Sequence, residues 1–408
     1  MRLGRSLSLG LLAVATITAP PLQAQLSTPL DSALLASLQW RSIGPANMSG
    51  RVSDVEGIPS PSKTFYVATA AGGVWKTTNN GTTFRPLFQN ERVVAMGDLA
   101  IAPSDTMIVW VGTGEEDSRN SISAGGGIYK STDGGLTWEI KGLEETQTIA
   151  RIVVHPTNPD IVYVAALGHI WGANPERGLY RTQDGGESWD LVKFVSDKAG
   201  FVDLVMHPND PNTLFAASWE RVRGPYFLQS GGPGSALWKS TDGGDSWTEV
   251  VGNGFPTAMK GRIGIDISKS DPDIMYAIVE AEEEEDGSGA NGFYRSDDGG
   301  VTWVKKNSNN VRPFYYSQVR VHPTNPDRVY WSSTPVNVSN DGGETIGNAT
   351  QGIHVDHHAM WIDPVDPERM IVGNDGGVGI TFDQGGSYIF PNTFAIGQFY
   401  AISHDMAV

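Results

Sequence analysis

The chain has 408 residues, no cysteine and a formal net charge of −17. The acidic balance argues against nucleic acid as a partner, because such binding depends on clustered Lys and Arg that neutralise phosphates. The absence of cysteine excludes disulfides and a lipid anchor on cysteine. We therefore expect burial alone to stabilise the fold, and we expect no cofactor apart from the divalent cation considered below.

The N-terminus, residues 1–24, has the pattern of a secretory signal peptide. Arg2 and Arg5 precede an apolar stretch from Leu7 to Ala19, and the small residue Ala24 stands at the predicted cleavage point. No later stretch reaches the roughly 18 apolar residues of a membrane span. The sequence therefore predicts a secreted or periplasmic protein.

One turn sequence occurs seven times: a hydroxyl residue, then Asp or Asn, Gly, Ser or Thr, and usually an aromatic residue. The copies, here called repeat turns, begin at Thr77, Ser131, Thr182, Ser240, Ser296, Ser339 and Thr381. Their starts lie 42 to 58 residues apart, close to the roughly 40 to 50 residues of a four-stranded propeller blade. The sequence predicts an all-β fold, a β-propeller of seven four-stranded blades over residues 41–394, after a lead-in over residues 25–40.

The third copy shows the order of elements most clearly. Strand A is predicted near Ile152–Val154, strand B over Val162–Ala166, strand C over Leu179–Arg181 and strand D at Trp189. Alternating β-branched and aromatic residues, bounded by Pro, Asn, Asp and Gly turns, support each strand. In a propeller the A–B turns and the C–D turns share one face, the turn face. The B–C loops and D–A connections lie on the opposite loop face.

The B–C loops are long and dissimilar in blades 2 to 5, which is typical of a binding surface on a rigid scaffold. Aromatic rings beside Arg and Glu suit sugar stacking or peptide recognition. The alternative is that Arg and Glu only tie the loops down. The candidate ligand-binding residues are Glu115, Arg119, Asn120, His169, Trp171, Arg177, Trp219, Arg221, Arg223 and Tyr226.

Strand A contributes a ring of polar positions that are predicted to point into the central channel. Counting four residues back from the A–B turns gives Asp54, Asp98, Arg151, Asp203 and Gln318. A polar lining is the default for a water-filled channel. A glycosidase would instead need two acids roughly 5 to 9.5 Å apart, and the candidate catalytic carboxylates are Asp98, Glu116, Asp203 and Glu220.

The densest group of titratable residues precedes strand A of blade 7. His354, Asp356, His357 and His358 could bind Zn²⁺ or another divalent ion, or form an acid/base pair. Residues two apart on an extended strand are roughly 6.6 Å apart, so these ligands converge only if the segment curls. The alternative is a set of Asp–His hydrogen bonds along the channel.

The repeat turns resemble the Asp-box, or BNR, repeat of β-propeller proteins. The segments WRSIGPANMSGRV, GTGEEDSRNS, ERGLYRTQDGG and HVDHHAMWIDP make the chain similar to large exported bacterial proteins whose propeller resembles the N-terminal domain of sortilin receptors. The resemblance implies a propeller, which can be larger than seven blades. Residues 395–408 are then the start of a further blade. In the alternative, Leu38–Ile43 supplies the outer strand of the last blade and closes a seven-bladed ring.

Asp-boxes also occur in glycosidases, so two enzyme families are compared residue by residue. The motif TDVGGAYRW of the xyloglucanases looks similar to TAAGGVW, Thr69–Trp75, but its catalytic Asp falls on Ala70. Sialidases carry an Arg-Ile-Pro signature that WRSIGP loosely resembles, and Tyr315 and Tyr316 are the corresponding tyrosine candidates. Neither resemblance supplies a complete catalytic set.

We expect an exported protein, monomeric or part of a longer chain, that binds a protein, peptide or glycan through the loop face without catalysis. The alternative is a glycoside hydrolase that uses channel or loop carboxylates.

Overall fold

The computed structural model describes residues 49–119, 122–391, 393 and 395–397. The predicted signal peptide, the lead-in, the strand at Leu38–Ile43 and Asn120 lie outside these residues. The described part is an all-β ring of seven blades, confirming the predicted fold class. Its strands are accompanied by one 3-10 turn, Glu144–Thr146. Within the same residues, no helix has the length and apolar character needed to cross a membrane.

Blades 1 to 3 each contain four antiparallel strands in the order A, B, C and D. Blade 1 is β1 (Val52–Gly57), β2 (Phe65–Thr69), β3 (Val74–Thr77) and β4 (Arg85–Pro86). Blade 2 is β5 (Met96–Ile101), β6 (Val109–Thr113), β7 (Ile128–Ser131) and β8 (Glu139–Ile140). Blade 3 is β9 (Ile149–Val154), β10 (Val162–Ala166), β11 (Gly178–Thr182) and β12 (Asp190–Lys193).

Blades 4 to 6 follow the same order, and blade 4 carries an extra hairpin strand, β15, that pairs with β14. Blade 4 is β13 (Ala199–His207), β14 (Asp210–Gly224), β15 (Phe227–Ser230), β16 (Ala236–Ser240) and β17 (Thr248–Glu249). Blade 5 is β18 (Lys260–Ile267), β19 (Met275–Ala281), β20 (Gly292–Ser296) and β21 (Val304–Asn307). Blade 6 is β22 (Val319–Val321), β23 (Val329–Trp331), β24 (Asn337–Ser339) and β25 (Gly347–Asn348).

Blade 7 consists of β26 (His357–Ile362), β27 (Met370–Asn374) and β28 (Gly377–Thr381). In place of strand D, Ile389 forms a single antiparallel β-bridge with Ile380 of β28. Pro391 follows two residues later and has no N–H with which to continue the ladder.

The strands are buried on both sides because every blade packs between two others. In β10, Val162 and Val164 join Trp110 and Ile128 of blade 2 in one apolar cluster. Tyr163 and Ala165 of the same strand join Leu204 and Leu214 of blade 4 in another cluster. Successive side chains of a strand point to opposite sides, so one apolar run serves two interfaces.

The repeat turns form the C–D hairpins and bind both their own blade and the one before. In blade 2 the Ser131 hydroxyl donates to Asp133 Oδ1 at 2.8 Å, and Asp133 accepts the Thr137 N–H at 2.9 Å. The Gly134 N–H donates to Met107 O in the A–B turn at 2.9 Å, which places both turns on one face. Lys76 of blade 1 donates to Gly134 O at 2.9 Å and so links adjacent blades.

Blade 7 packs directly on blade 1. Val52 and Phe65 share an apolar cluster with Trp361 and Ile380. A Cβ on Gly57 would lie 2.7 Å from ring atoms of Trp361, so this contact requires glycine. Apolar packing therefore joins the first and last blades within the described residues.

Candidate functional site

The B–C loop of blade 2 turns inward to the centre of the loop face. Its residues Glu115, Glu116, Asp117 and Ser118 are all buried. Buried carboxylates are costly unless they are paired. Their partners come from other blades, so this loop connects most of the blades at the centre of the loop face.

Glu115 binds two arginines. Arg51, which precedes β1, donates from Nη1 to Glu115 Oε1 at 2.6 Å, and Arg119 Nε donates to Oε2 at 3.2 Å. Arg51 also reaches blade 7, where its Nε lies 2.9 Å from Asp375 Oδ1. One guanidinium thus connects blades 1, 2 and 7.

His358, at the start of β26, lies between two carboxylates. Its Nδ1 is 3.0 Å from Asp117 Oδ2, and its Nε2 is 2.9 Å from Asp375 Oδ1. Burial by itself lowers the pKa of His358, but the charge of Asp117 and the hydrogen bonds to both carboxylates outweigh it, so the pKa is raised. The imidazolium form is therefore the one that this geometry stabilises.

Two more arginines complete the centre. Arg262 of β18 donates to Asp117 Oδ1 at 2.9 Å. Arg221 of β14 donates to the backbone oxygen of Glu116 at 2.7 Å. Burial lowers the pKa of Arg221 to about 9, with a smaller contribution from neighbouring Arg177 and Arg262. The blade 2 loop therefore also holds blades 4 and 5.

Two tyrosines from the connection before β22 pack beside this centre. The rings of Tyr315 and His358 meet edge-to-face with centroids 4.8 Å apart, and Tyr316 stacks on His358 at 5.9 Å. The Tyr316 hydroxyl donates to Asp356 Oδ1. Asp356 has a left-handed backbone with φ of 64°, a conformation that for a residue other than glycine concentrates at functional sites.

Asp375 is the central carboxylate that retains access to solvent, with 22% of its side chain exposed. Burial raises its pKa, but the hydrogen bond and charge of His358, together with Arg51, lower it below the ordinary value. Its backbone N–H donates to Asp356 O at 3.1 Å. The backbone of Asp356, which is also partly exposed, therefore lies next to the backbone of Asp375.

The four residues of the predicted metal site do not share a centre. His358 binds Asp117 and Asp375, whereas Asp356 binds Tyr316. His357 Nδ1 has no hydrogen-bond partner among the described residues. His354 Nδ1 lies 2.8 Å from Val355 O. In the described part of the chain, no three His, Asp or Glu side chains are arranged to hold a metal ion. Metal binding by this segment stays a prediction that requires these side chains to rearrange.

The other predicted ligand-binding residues divide by burial. Trp219, Arg177 and Arg221 are fully buried. Arg177, for example, donates to Lys198 O at 3.0 Å and to His169 O at 3.1 Å. These side chains hold the loops in place, and contact with a ligand would fall to the exposed residues beside them.

Exposed aromatic residues form a groove between blades 3 and 4. It has a volume of about 450 Å³ and is lined by Trp171, Arg223 and the hairpin tip Pro225–Leu228. Trp171 is 51% exposed and Tyr226 fully exposed. The Arg223 N–H donates to Ile170 O at 3.0 Å and holds the two loops together.

The channel residues have structural partners. Asp54, Asp98, Arg151 and Asp203 line the central cavity as predicted, whereas Gln318 lines a constriction above it. Asp54 accepts the Leu99 N–H of the next blade at 3.1 Å, and Asp98 accepts the Ile152 N–H at 2.7 Å. Arg151 bridges Asp98 and Asp203. Because this contact recurs between neighbouring blades, we infer that these carboxylates hold adjacent A strands together. Catalysis by them stays a prediction.

The two remaining catalytic candidates are both buried. Glu220 Oε1 accepts the Gly234 N–H at 2.9 Å and anchors a loop. Glu116 lines the constriction, and burial followed by the charge of Asp117 raises its pKa well above the ordinary value. Burial between the two faces therefore favours the protonated form of Glu116.

Four central residues were missed by the sequence reasoning: Arg51, Asp117, Arg262 and Asp375. Arg51 and Asp117 lie inside the segments that carry the resemblance, SGRV and GEED. Asp375 lies in GNDGG, which looks like a repeat turn but forms the B–C hairpin of blade 7. Ala70 is buried, and together with Arg51 and Arg119 it lines a cavity of about 30 Å³.

Residues 126–292 match the family described as sortilin, neurotensin receptor 3. The propeller is sortilin-like. This agrees with the seven-bladed ring described above and with the resemblance in the sequence. The matched region runs from the B–C loop of blade 2 to the start of β20 in blade 5.

Other relatives of the sortilin-like chain are xyloglucanases. A xyloglucanase of a Paenibacillus species is 26% identical over 272 residues, which is 63% of this chain and 22% of the relative. This chain covers between 22% and 31% of the curated xyloglucanases that it matches.

Solved structures share the sortilin-like chain's fold. The GH74 enzyme of Niastella koreensis superposes with a TM-score of 0.60 at 20% identity, covering 85% of this chain and 55% of that chain. The structure of YCF48 bound to D1 peptide gives a TM-score of 0.52 at 14% identity, covering 83% of this chain and 96% of that one. At these identities the likeness concerns the fold.

Proposed function

We propose that this chain is a carbohydrate-active propeller of glycoside hydrolase type, which takes a xyloglucan-like polysaccharide on its loop face. The observation that carries the proposal is the pair of partly exposed carboxylates, Asp375 and Asp356, at the centre of that face. Xyloglucanases among the relatives support the substrate class.

The two carboxylates have different surroundings, as a glycosidase requires. His358 and Arg51 keep Asp375 ionised, since they lower its pKa, and this suits a base or a nucleophile. Asp356 accepts the Tyr316 hydroxyl on Oδ1. Its Oδ2 accepts no hydrogen bond from a described residue, and we assign the role of proton donor to this partly exposed carboxyl group.

The groove between blades 3 and 4 supplies the binding surface. Trp171, Tyr226 and Phe227 expose aromatic rings there. Sugar rings stack on such faces, because the aromatic surface is apolar and rigid. We assign this groove to polysaccharide binding away from the two carboxylates.

A second candidate is non-catalytic binding of an extended peptide on the same face. Ala70 favours it, because the position that corresponds to the catalytic Asp of the xyloglucanase motif carries no carboxylate. The propeller that binds D1 peptide is covered over nearly its whole length by this chain, so a ring of this size is sufficient for such a partner.

Release of reducing ends from xyloglucan and a panel of other polysaccharides tests the first candidate. We expect turnover that is lost in Asp375→Asn and in Asp356→Asn but kept in Glu368→Gln, which changes an exposed carboxylate on the turn face. If the wild type releases no reducing ends from any polysaccharide of the panel, hydrolysis is rejected. Retention on immobilised xyloglucan then separates a non-catalytic glycan binder from a peptide binder.

A further inference from the structure

The turn face has a cavity of its own at the propeller axis. It has a volume of about 410 Å³ and is walled by strand A and by the A–B turns. Towards the loop face the channel narrows around Glu116, Asp203, Arg262 and Gln318, where no space remains for a water molecule. A ligand of this cavity therefore enters and leaves through the turn face, independently of the loop-face site.

The lining of the cavity is rich in charged groups, and most of them are carboxylates. The charged and titratable groups that line it, taken strand by strand, are Asp54, Glu56, Asp98, Arg151, Asp203, His207, Asp266, Lys269 and Arg320. Most of these groups are already bound: Arg151 pairs with Asp98 and Asp203, and Asp266 accepts the Val321 N–H at 2.7 Å. Arg320 donates to Val319 O and Met360 O rather than to a carboxylate.

Glu56 and Lys269 have no such partner in the described part of the chain. Glu56 lies on β1, lines the cavity, is partly exposed, and its carboxyl group forms no hydrogen bond or ion pair with any described residue. Asp54, two residues away on the same strand, is buried and uses one oxygen, Oδ2, to accept the Leu99 N–H. The cavity therefore offers carboxylate oxygens that no described cation contacts, which is unfavourable for the buried Asp54.

Part of the lining is apolar. Its apolar members include Ile101, Val153, Met206, Ile267, Pro323 and Trp361. A ligand that satisfies both kinds of lining needs a hydrocarbon stem for the apolar side chains and a positive charge for the carboxylates. A bare metal ion would leave the apolar side chains without a partner.

We propose that this cavity binds an aliphatic amine, with its ammonium group at Glu56 and Asp54 and its alkyl chain against the apolar side chains of the lining. The amine is either a free diamine or the lysine side chain of a protein partner. The chemistry is the same in both cases: a charge-assisted hydrogen bond in a site of low dielectric.

Binding of such a cation is coupled to proton release. Burial raises the pKa of Asp54 to about 6, of Glu56 to about 7 and of Asp98 to about 8, although the nearby charges of Arg151 and Lys269 oppose this rise. An ammonium ion stabilises the ionised carboxylates, so part of the protonated population at pH 7 must lose its proton on binding. Lys269 lowers the pKa of Glu56 in the unliganded protein and is the internal competitor for this position.

Titration calorimetry of the full chain at pH 7, in two buffers of different ionisation enthalpy, tests the proposal. The probes are cadaverine, Nα-acetyl-lysine methylamide, and 1-pentanol as the uncharged control. We expect binding of an amine with proton release, and no binding of the alcohol. Binding of both amines indicates a lysine side chain as the natural ligand, and binding of cadaverine alone indicates a free diamine.

Glu56→Gln should weaken amine binding roughly tenfold or more, the effect of a lost charged hydrogen bond, and should reduce the released protons. Glu368→Gln serves as the matched control. Because Glu56 has no hydrogen bond or ion pair to lose, the variant should fold, and its thermal transition at pH 7 should not fall below that of the wild type. Absence of amine binding at millimolar concentration, or equal binding by wild type and Glu56→Gln, would overturn the proposal.

Discussion

Arg51 and Asp375 form an ion pair that joins the two ends of the propeller. Arg51 Nε lies 2.9 Å from Asp375 Oδ1, and Arg51 Nη2 donates to Asp375 Oδ2 at 3.2 Å, although 324 residues separate them. The first and last blades are thus connected at the centre of the loop face as well as through their apolar cluster. Together with His358, the same pair lowers the pKa of this partly exposed carboxyl group.

Loss of this arginine should destabilise the ring. Arg51→Met leaves Glu115 with Arg119 alone and Asp375 with His358 alone, and loss of one partner from a buried ion pair typically costs about 3 to 5 kcal/mol. Urea denaturation measures the change. Lys306→Met, which breaks a mostly exposed pair with Glu344, is the control and should cost about 1 kcal/mol or less. Similar losses in the two variants would contradict a central role for Arg51.

The stability of the fold should depend on pH through His358. Its pKa is raised in the folded state above the ordinary 6.5, so its stabilising contribution is complete below that value and is lost as pH rises through the folded pKa. His358→Gln should therefore remove part of the fall in unfolding free energy above pH 6.5.

Unfolding free energies of the wild type and His358→Gln, measured across this range, check the prediction. The difference between the two curves isolates the histidine, because the channel carboxylates titrate in both proteins. His169→Gln, in an outer loop, should reproduce the wild-type slope. Parallel curves for the wild type and His358→Gln would show that the imidazole does not carry this dependence.

Glu56→Gln should stabilise the protein at alkaline pH. Burial raises the pKa of Glu56 from 4.5 to about 7, so the folded state loses stability as pH rises between those values. At pH 8 the glutamine should raise the unfolding free energy by about 1 to 3 kcal/mol, and near pH 4 the two proteins should agree. An equal effect at both pH values would point to a change in packing instead of ionisation.

Two tryptophans of the loop face should respond in opposite ways to alanine. Trp171 is half exposed, so Trp171→Ala should leave stability nearly unchanged and weaken retention on polysaccharide by the roughly 0.5 to 1.5 kcal/mol of one aromatic contact. Trp219 is fully buried, and Trp219→Ala should cost about 3 to 5 kcal/mol of stability. Affinity electrophoresis and thermal melting separate the two effects. Unchanged retention in Trp171→Ala would remove the groove from the binding surface.

The architecture was predictable because its information is local. The hydroxyl of Ser131 and the carboxylate of Asp133 satisfy each other and the turn backbone within a few residues, so each repeat turn can be recognised without its surroundings. Apolar alternation in segments such as Val162–Ala166 reflects packing against two neighbouring blades. Strand D of blade 7 is the part that departed from this pattern, at Pro391.

The burial of loop residues could not be predicted in the same way. Trp171 and Trp219 both fall in segments that the sequence predicts as long B–C loops, near arginine, and they look equivalent there. The hairpin β14–β15 covers Trp219, whose indole N–H donates to Ser230 at 3.1 Å, while Trp171 remains outside. Which ring is available to a ligand depends on loop packing, and no periodic pattern encodes that packing.

By itself the sequence determined the seven repeats, the strand order within a blade and the separation of a turn face from a loop face, since turn chemistry and side-chain alternation act over a few residues. Only the tertiary structure decided which charged groups meet at the axis. Arg51, Glu115, Asp117, His358 and Asp375 come from separate segments of the chain and are brought together by ring closure. Their pairing follows from the removal of charges from water at one crowded point, and that requirement exists only once the ring has formed.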